Sequence, residues 1–325
     1  MGVPSNRMDA APFADPGTHR AETAPDDLAS RLAGKGLPLL LDGATGTELE
    51  RRGLPTGLPL WSTHALLEAP DAVEEIHRSH LEAGAELVTA NTFRTQARTL
   101  TRAGLPPGRD RALTRLAVDL ARRAVRAVDD GTPRWIAGSL PPLEDCYAPE
   151  RVPPPSERDR EHAHQVDLLG EAGVDLLLIE TMNSAGEAES AAKAAAKSGL
   201  PFVVGFVSWT PGRLLSGEDL AEAACRAMDT GAAAVGVNCI PPSSLPAAFA
   251  CLAGTGAPLL VSPNLGEPDD ETGFRRSEAM TPEAFAACLA PWIAHSSLRI
   301  LGGCCGTTPE FVAALDRARR GLDDN

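Results

Sequence analysis

Basic residues are scarce: 30 Lys and Arg face 44 Asp and Glu across 325 residues, a formal net charge of −14 at pH 7. That deficit argues against a phosphate-tracking surface, because nucleic-acid binding draws most of its affinity from Lys and Arg neutralising phosphates. No stretch approaches the ~18 consecutive apolar residues that would span a bilayer, so no membrane partner is expected. The N-terminus also lacks the apolar core of a signal peptide, which makes the cytoplasm the expected compartment. There is no Cys-x-x-Cys, so the usual redox signature is missing. With no export signal, the seven cysteines read as thiols, metal ligands or catalytic groups rather than as a disulfide framework. What the chain does have, 43% hydrophobic and 23% charged residues, is ordinary for a packed enzyme-sized domain.

Residues 1–30, "MGVPSNRMDAAPFADPGTHRAETAPDDLAS", show neither helical nor alternating apolar periodicity and read as a disordered tail. Residues 31–325 are expected to form one domain. Within it eight short apolar runs recur, each ending in small or polar residues: "LPLLLDGAT", "ELVTANTF", "RWIAGSL", "DLLLIETM", "PFVVGFV", "AAVGVNC", "PLLVSPN" and "RILGGCC". Continuous apolar runs suit parallel strands buried on both faces. Between them lie helical patterns, as in "RDRALTRLAVDLARRAVRAVDDG", where Leu113, Leu116, Ala117, Leu120, Ala124 and Val128 recur every three or four residues before Gly131. This alternation predicts an α/β fold, a (β/α)8 TIM barrel, with a doubly wound open sheet as the competitor. The barrel is favoured because Asp42, Asn91, Glu180, Cys239, Asn264 and Cys304 all fall at or just after strand C-termini, where barrel active sites are built.

In a closed barrel the ends of strands six and eight face one mouth, so Cys239 can meet Cys304 and Cys305 although 65 residues separate 239 from 304. Three thiolates with an open fourth position make a catalytic zinc site, and soft sulfur favours zinc over magnesium, calcium or manganese. Spacing alone leaves two readings open, metal ligands or a redox pair with a core neighbour. Cys225, Cys251 and Cys288 sit in Ala-rich helical stretches and read as small buried hydrophobes, and Cys146 reads as a bystander near the mouth. His77, His80, His162 and His164 fall on helical patterns and are assigned no chemistry.

The motifs "LLDGATGTELERRG", "LWS", "TANTFRT", "LLLIETM", "GVNC" and "GGCCGTTP" resemble the zinc-dependent homocysteine S-methyltransferases over residues 36–318. The resemblance implies zinc held by Cys239, Cys304 and Cys305. It implies that Asp42 and Glu180 help hold the amino acid part of homocysteine, that Gly43, Ala44 and Thr45 of the "DGAT" turn supply backbone donors near its carboxylate, and that Asn238 belongs to the same substrate-binding set. The reaction it implies is attack of the homocysteine thiol on a methyl group attached to a positive sulfur or nitrogen. Thiols near their ordinary pKa of ~8.5 are mostly protonated at neutral pH, and a zinc ion corrects that.

For the methyl donor, one Tyr and four Trp leave few residues for an onium-binding aromatic surface. Trp61, Phe93, Tyr147 and Trp209 are the candidates. Arg94 stands where betaine-using members carry an aromatic, and it brings a cation that repels an onium head group and attracts a carboxylate. A sulfonium such as S-methylmethionine is therefore expected over betaine. Two competing functions stand beside this one: a homocysteine-activating subunit of a corrinoid-dependent methylation system, and a non-catalytic zinc- or thiol-binding barrel. Long polar segments at 141–161 and 266–282 are expected to cover the mouth as lids or to form contacts in a homo-oligomer.

Overall fold

A computed structural model describes residues 25–269, 273–276 and 280–321. Eight parallel strands follow the eight apolar runs: β1 (Leu39–Leu40), β2 (Leu87–Ala90), β3 (Trp135–Leu140), β4 (Leu176–Met182), β5 (Phe202–Phe206), β6 (Ala234–Asn238), β7 (Leu259–Ser262) and β8 (Leu298–Leu301). Each pairs with its sequence neighbour, and β1 pairs with β8, with Leu39 opposite Ile300. A parallel bridge from Leu41 to Leu87 joins β1 to β2, so the sheet closes on itself. The open-sheet alternative is thereby excluded, and the fold is a (β/α)8 barrel.

The continuous apolar character of the strands follows from closure. Alternate side chains point into the lumen, where Leu39, Leu41, Leu87, Ala137, Leu178, Val203, Leu260 and Ile300 pack together. Their neighbours Leu40, Val88, Ile136, Leu177, Val204, Val235 and Leu301 face the surrounding helices. Two glycines allow strands and side chains to approach. A Cβ on Gly236 would lie 1.7 Å from the carbonyl oxygen of Leu260, and one on Gly205 would lie 2.5 Å from Oδ1 of Asn238. The helices bury one stripe each, as Arg109–Ala127 does through Leu113, Ala117, Leu120, Ala121 and Ala124.

The expected disordered tail at 1–30 falls outside the described residues as far as residue 24. Residues 25–30 are not tail: helix Pro25–Leu32 extends the domain N-terminally. Leu28 and Leu32, one helical turn apart, are buried in the lumen cluster and close the lower end of the barrel. Arg31 of this helix makes a two-pronged ion pair with Glu86, which also receives the buried Arg319. The segment at 266–282 contains an antiparallel hairpin, Gly266–Asp269 with Gly273–Arg276. Residues 141–161 end in the start of helix Pro155–Ala172. Among the described residues, no helix is long and apolar enough to cross a membrane.

Candidate active site

A cavity of about 340 Å³ opens at the C-terminal end of the strands. Its wall includes Asp42, Gly43, Ala44, Thr45, Trp61, Phe93, Arg94, Cys146, Tyr147, Glu180, Cys239, Cys304 and Cys305. The non-glycine residues with positive φ among the described residues, Trp61, Thr181 and Cys239, all lie on this wall. Left-handed backbone at Thr and Trp is costly and concentrates at sites where side-chain direction matters.

The sulfur cluster is assembled by two loops. Cys239 follows β6 directly, and its N–H donates to Ser262 O at the end of β7 (2.9 Å). After β8, Gly302 and Gly303 turn the chain over Leu41 and Thr307. A Cβ on Gly303 would lie 2.4 Å from Thr307 Oγ1, so no larger residue fits. The N–H of Cys304 donates to Pro263 O (2.8 Å), the N–H of Gly306 to Thr47 Oγ1 (2.8 Å), and the Thr307 hydroxyl to Cys304 O (2.7 Å). The neighbouring cysteines thus do not need to meet each other. Cys304 meets Cys239 in a disulfide with Cα atoms 5.5 Å apart, and Cys305 Sγ lies 3.9 Å from Cys239 Sγ. All three Sγ atoms lie within 4.8 Å of one another. In the oxidised form one sulfur is a free thiol. Reduction by two electrons would provide three donors whose softness and spacing fit a zinc-sized cation.

Two carboxylates form the floor. Asp42 is 1% exposed, and its oxygens accept Thr89 N–H (2.9 Å) and the Thr89 hydroxyl (2.8 Å). Glu180 accepts the Ser139 hydroxyl on Oε1 (2.5 Å) and Asn238 Nδ2–H on Oε2 (3.3 Å). Burial pushes Asp42 up to about 8, against the pull of the Thr89 bonds and with a smaller push from Glu180. Burial likewise raises Glu180 to about 7, with the Ser139 bond opposing. The Cys305 thiol is pushed up to about 12, chiefly by burial. Burial thus shifts all three groups toward their neutral forms.

The structure separates the sequence candidates. Asn238 does not line the cavity. Its Oδ1 accepts Thr181 N–H (2.8 Å), and its Nδ2 donates to the Thr181 hydroxyl (2.9 Å) and to Glu180, so its amide is engaged by these neighbours. In the "DGAT" turn the N–H of Ala44 is taken by Thr307 O (3.3 Å), leaving Gly43 and Thr45 as donors without a protein acceptor among the described residues. Trp209 is off the wall and 38% exposed, stacked on Tyr147 with centroids 5.3 Å apart. Asn91 is on the wall, but its amide exchanges two bonds with Ser62. Cys146, read as a bystander, is buried in the wall. Cys225 and Cys288 are exposed and Cys251 half-buried, which corrects their reading as core residues. In helix Leu220–Asp229 the buried stripe runs through Ala223, Ala224 and Ala227, and Cys225 falls between its rows. Thr89 and Ser139 were missed. Both are small polar residues on inward-facing positions of otherwise apolar strands, a signal readable only once the strand register is known.

The sequence profile of the homocysteine S-methyltransferase family matches residues 39–319. The homocysteine S-methyltransferase of Escherichia coli K12 is 33% identical over 295 residues, covering 85% of this chain and 94% of that protein. The selenocysteine methyltransferase of Astragalus bisulcatus is 27% identical over 312 residues, covering 86% and 92%. The metallated crystal structure of the homocysteine methyltransferase MmuM from Escherichia coli superposes with a TM-score of 0.77 at 29% identity, covering 89% of this chain and 98% of that one.

Proposed function

The chain belongs to the homocysteine S-methyltransferase family and is a methyltransferase, and from that premise we propose that it transfers a methyl group from a small sulfonium donor to the thiol of homocysteine, with zinc on Cys239, Cys304 and Cys305. The observation that carries this reading is one cavity wall holding three sulfurs within 4.8 Å of one another together with two carboxylates, the buried Asp42 and the partly buried Glu180.

Zinc bound by three thiolates with its fourth position open supplies a Lewis acid that keeps a substrate thiol deprotonated near neutral pH. The protein's own residues do the rest. Asp42 and Glu180 receive the ammonium of the amino acid, and in doing so become ionised. The free N–H groups of Gly43 and Thr45 face its carboxylate. Thr89, Ser139 and Asn238 hold the two carboxylates at fixed positions, so little ordering is left for the moment of binding. Trp61, Phe93 and Tyr147 wall off water around the donor. In the transfer, the carbon–sulfur bond of the donor breaks and its electron pair stays on the leaving sulfur. A new carbon–sulfur bond forms to homocysteine, whose thiol proton goes to solvent. The leaving thioether is neutral and needs no proton. It is also a weaker base, and so a better leaving group, than the tertiary amine betaine would release, which favours S-methylmethionine over betaine, as does the small number of aromatics available to cradle a trimethylammonium.

The test is an assay of the reduced protein with homocysteine and, in turn, S-methylmethionine, S-adenosylmethionine and betaine, with and without zinc. Methionine formation that requires zinc and is fastest with S-methylmethionine is expected. Faster turnover with betaine overturns the donor choice. For the metal, about one zinc per chain with zinc–sulfur distances near ~2.3 Å by X-ray absorption is expected, and mainly oxygen ligands would remove the site.

A further inference from the structure

Four arginines stand around the cavity mouth, Arg94, Arg98, Arg102 and Arg151, and among the described residues all of them but Arg94 have a carboxylate within 4.0 Å. Arg98 pairs with Glu144, Glu157 and Glu161, Arg102 pairs with Glu144, and Arg151 lies 3.9 Å from Asp145. Arg94 lies on the cavity wall, only 9% exposed, and forms no ion pair among the described residues. One of its nitrogens, Nη1, donates to the backbone carbonyl of Glu144 (3.0 Å), while Nε is buried with no partner among the described residues. Its guanidinium carbon sits 5.1 Å from the centroid of the Phe93 ring. A guanidinium taken out of water without a counter-charge is costly, and such groups are found paired. No carboxylate pairs with it among the described residues, and the guanidinium borders the cavity.

Building on the donor proposed above, we infer that Arg94 is the receptor for the carboxylate of the methyl donor, which makes the donor a zwitterion with its carboxylate and its onium at separate ends. The acceptor's charges are matched lower down: Asp42 follows β1 and Glu180 lies within β4, at the floor, whereas Arg94 stands four residues beyond Ala90, the last of β2, on the overlying loop. The planar guanidinium presents its donors in a fork that matches a carboxylate. It is also held in advance. Arg98 and Arg102 grip the Glu144 carboxylate, and the carbonyl of that same residue grips Arg94. A cationic donor without a carboxylate gains no such contact.

The test compares S-methylmethionine with its methyl ester, in which the carboxylate is capped. Binding is measured by calorimetry on reduced, zinc-loaded protein, and kcat/KM is measured with homocysteine as acceptor. The wild type is expected to prefer the free acid by about ten- to a hundredfold, the range of a charge-assisted hydrogen bond. In Arg94→Gln that preference should fall close to one, and in Arg94→Lys it should lie between, with the KM for homocysteine unchanged in both. Equal binding of acid and ester by the wild type overturns the inference, as does an undiminished preference in Arg94→Gln. A raised homocysteine KM with the donor preference intact would assign Arg94 to the acceptor, which also overturns it. Preference for the acid in binding with no methyl transfer would sink the proposed reaction while leaving the role of Arg94 standing.

Discussion

An amino acid whose ammonium enters between Asp42 and Glu180 must expel protons to do so. Burial holds Asp42 near about 8 and Glu180 near about 7 in the free protein. A positive charge beside them favours the ionised forms and drops both values, so affinity must rise with pH across this range. At pH 6 about 1% of Asp42 and about 9% of Glu180 are ionised, against about half and about nine-tenths at pH 8. If both must be ionised, the competent fraction changes roughly 500-fold between those two pH values. Methionine is the suitable probe because it carries the same amino acid head group and no thiol of its own. Calorimetry in buffers of different ionisation heat should show affinity rising by two to three orders of magnitude from pH 6 to 8, with nearly two protons released at the lower pH and fewer than one at the higher. Glu180→Gln should leave about one released proton at pH 6 and weaken binding at pH 8 by about ten- to a hundredfold. The same raised values set the sign for folding. Each carboxylate favours the folded state most fully below its ordinary value near 4, and that contribution is lost as pH rises through about 7 to 8. Glu180→Gln is therefore expected to raise the melting temperature at pH 8 while impairing binding. Flat affinity from pH 6 to 8 with no protons released would refute the arrangement.

Three further outcomes are expected. Replacing Cys239, Cys304 or Cys305 by Ala should abolish zinc content and turnover together, whereas Cys225→Ala, on an exposed position of an outer helix, should leave both intact; elemental analysis beside the assay decides it. Gly205→Ala would place a Cβ 2.5 Å from Asn238 Oδ1, pushing away the side chain that holds Glu180. Methionine affinity should drop about tenfold with zinc retained, and unchanged affinity would count against Asn238 as a positioning residue. Arg319→Ala would leave Glu86 with Arg31 as its one ion partner among the described residues, beside the Leu40 N–H, and free the carbonyl of Pro38. Urea denaturation should show a loss of about 3–5 kcal/mol, because removing one partner of a buried pair exposes the cost of the other.

The eight apolar runs and the helical stripes between them specified alternating parallel strands and helices, the polar strand ends favoured a barrel over an open sheet, and closure of β1 on β8 and β2 decided it. A strand covered on both faces has no wet side to encode, and its sequence says so. The strand-end positions of Asp42, Glu180, Cys239 and Cys304 were legible for the same reason: in this fold, polar residues at those points have one place to go. The family resemblance added roles that spacing could not, and Asp42, Glu180 and the three cysteines do share one cavity.

Tertiary structure alone decided the rest. Whether Asn238 touches a ligand or a neighbour depends on where Thr181, with its left-handed backbone, puts its N–H. The partners Thr89 and Ser139 are brought beside Asp42 and Glu180 by strand register, over separations of 47 and 41 residues. Cys225, read as a buried residue of an Ala-rich helix, is exposed, and Cys146, read as a bystander, is buried; which face of a helix packs inward, and which loop folds over a mouth, sets their difference. Arg94 could be recognised from sequence as a cation in an unusual place. Its lack of a counter-charge depends on Glu144, Glu157 and Glu161 being held by Arg98 and Arg102 instead, because ion pairing is a property of distances in space and not of order along the chain.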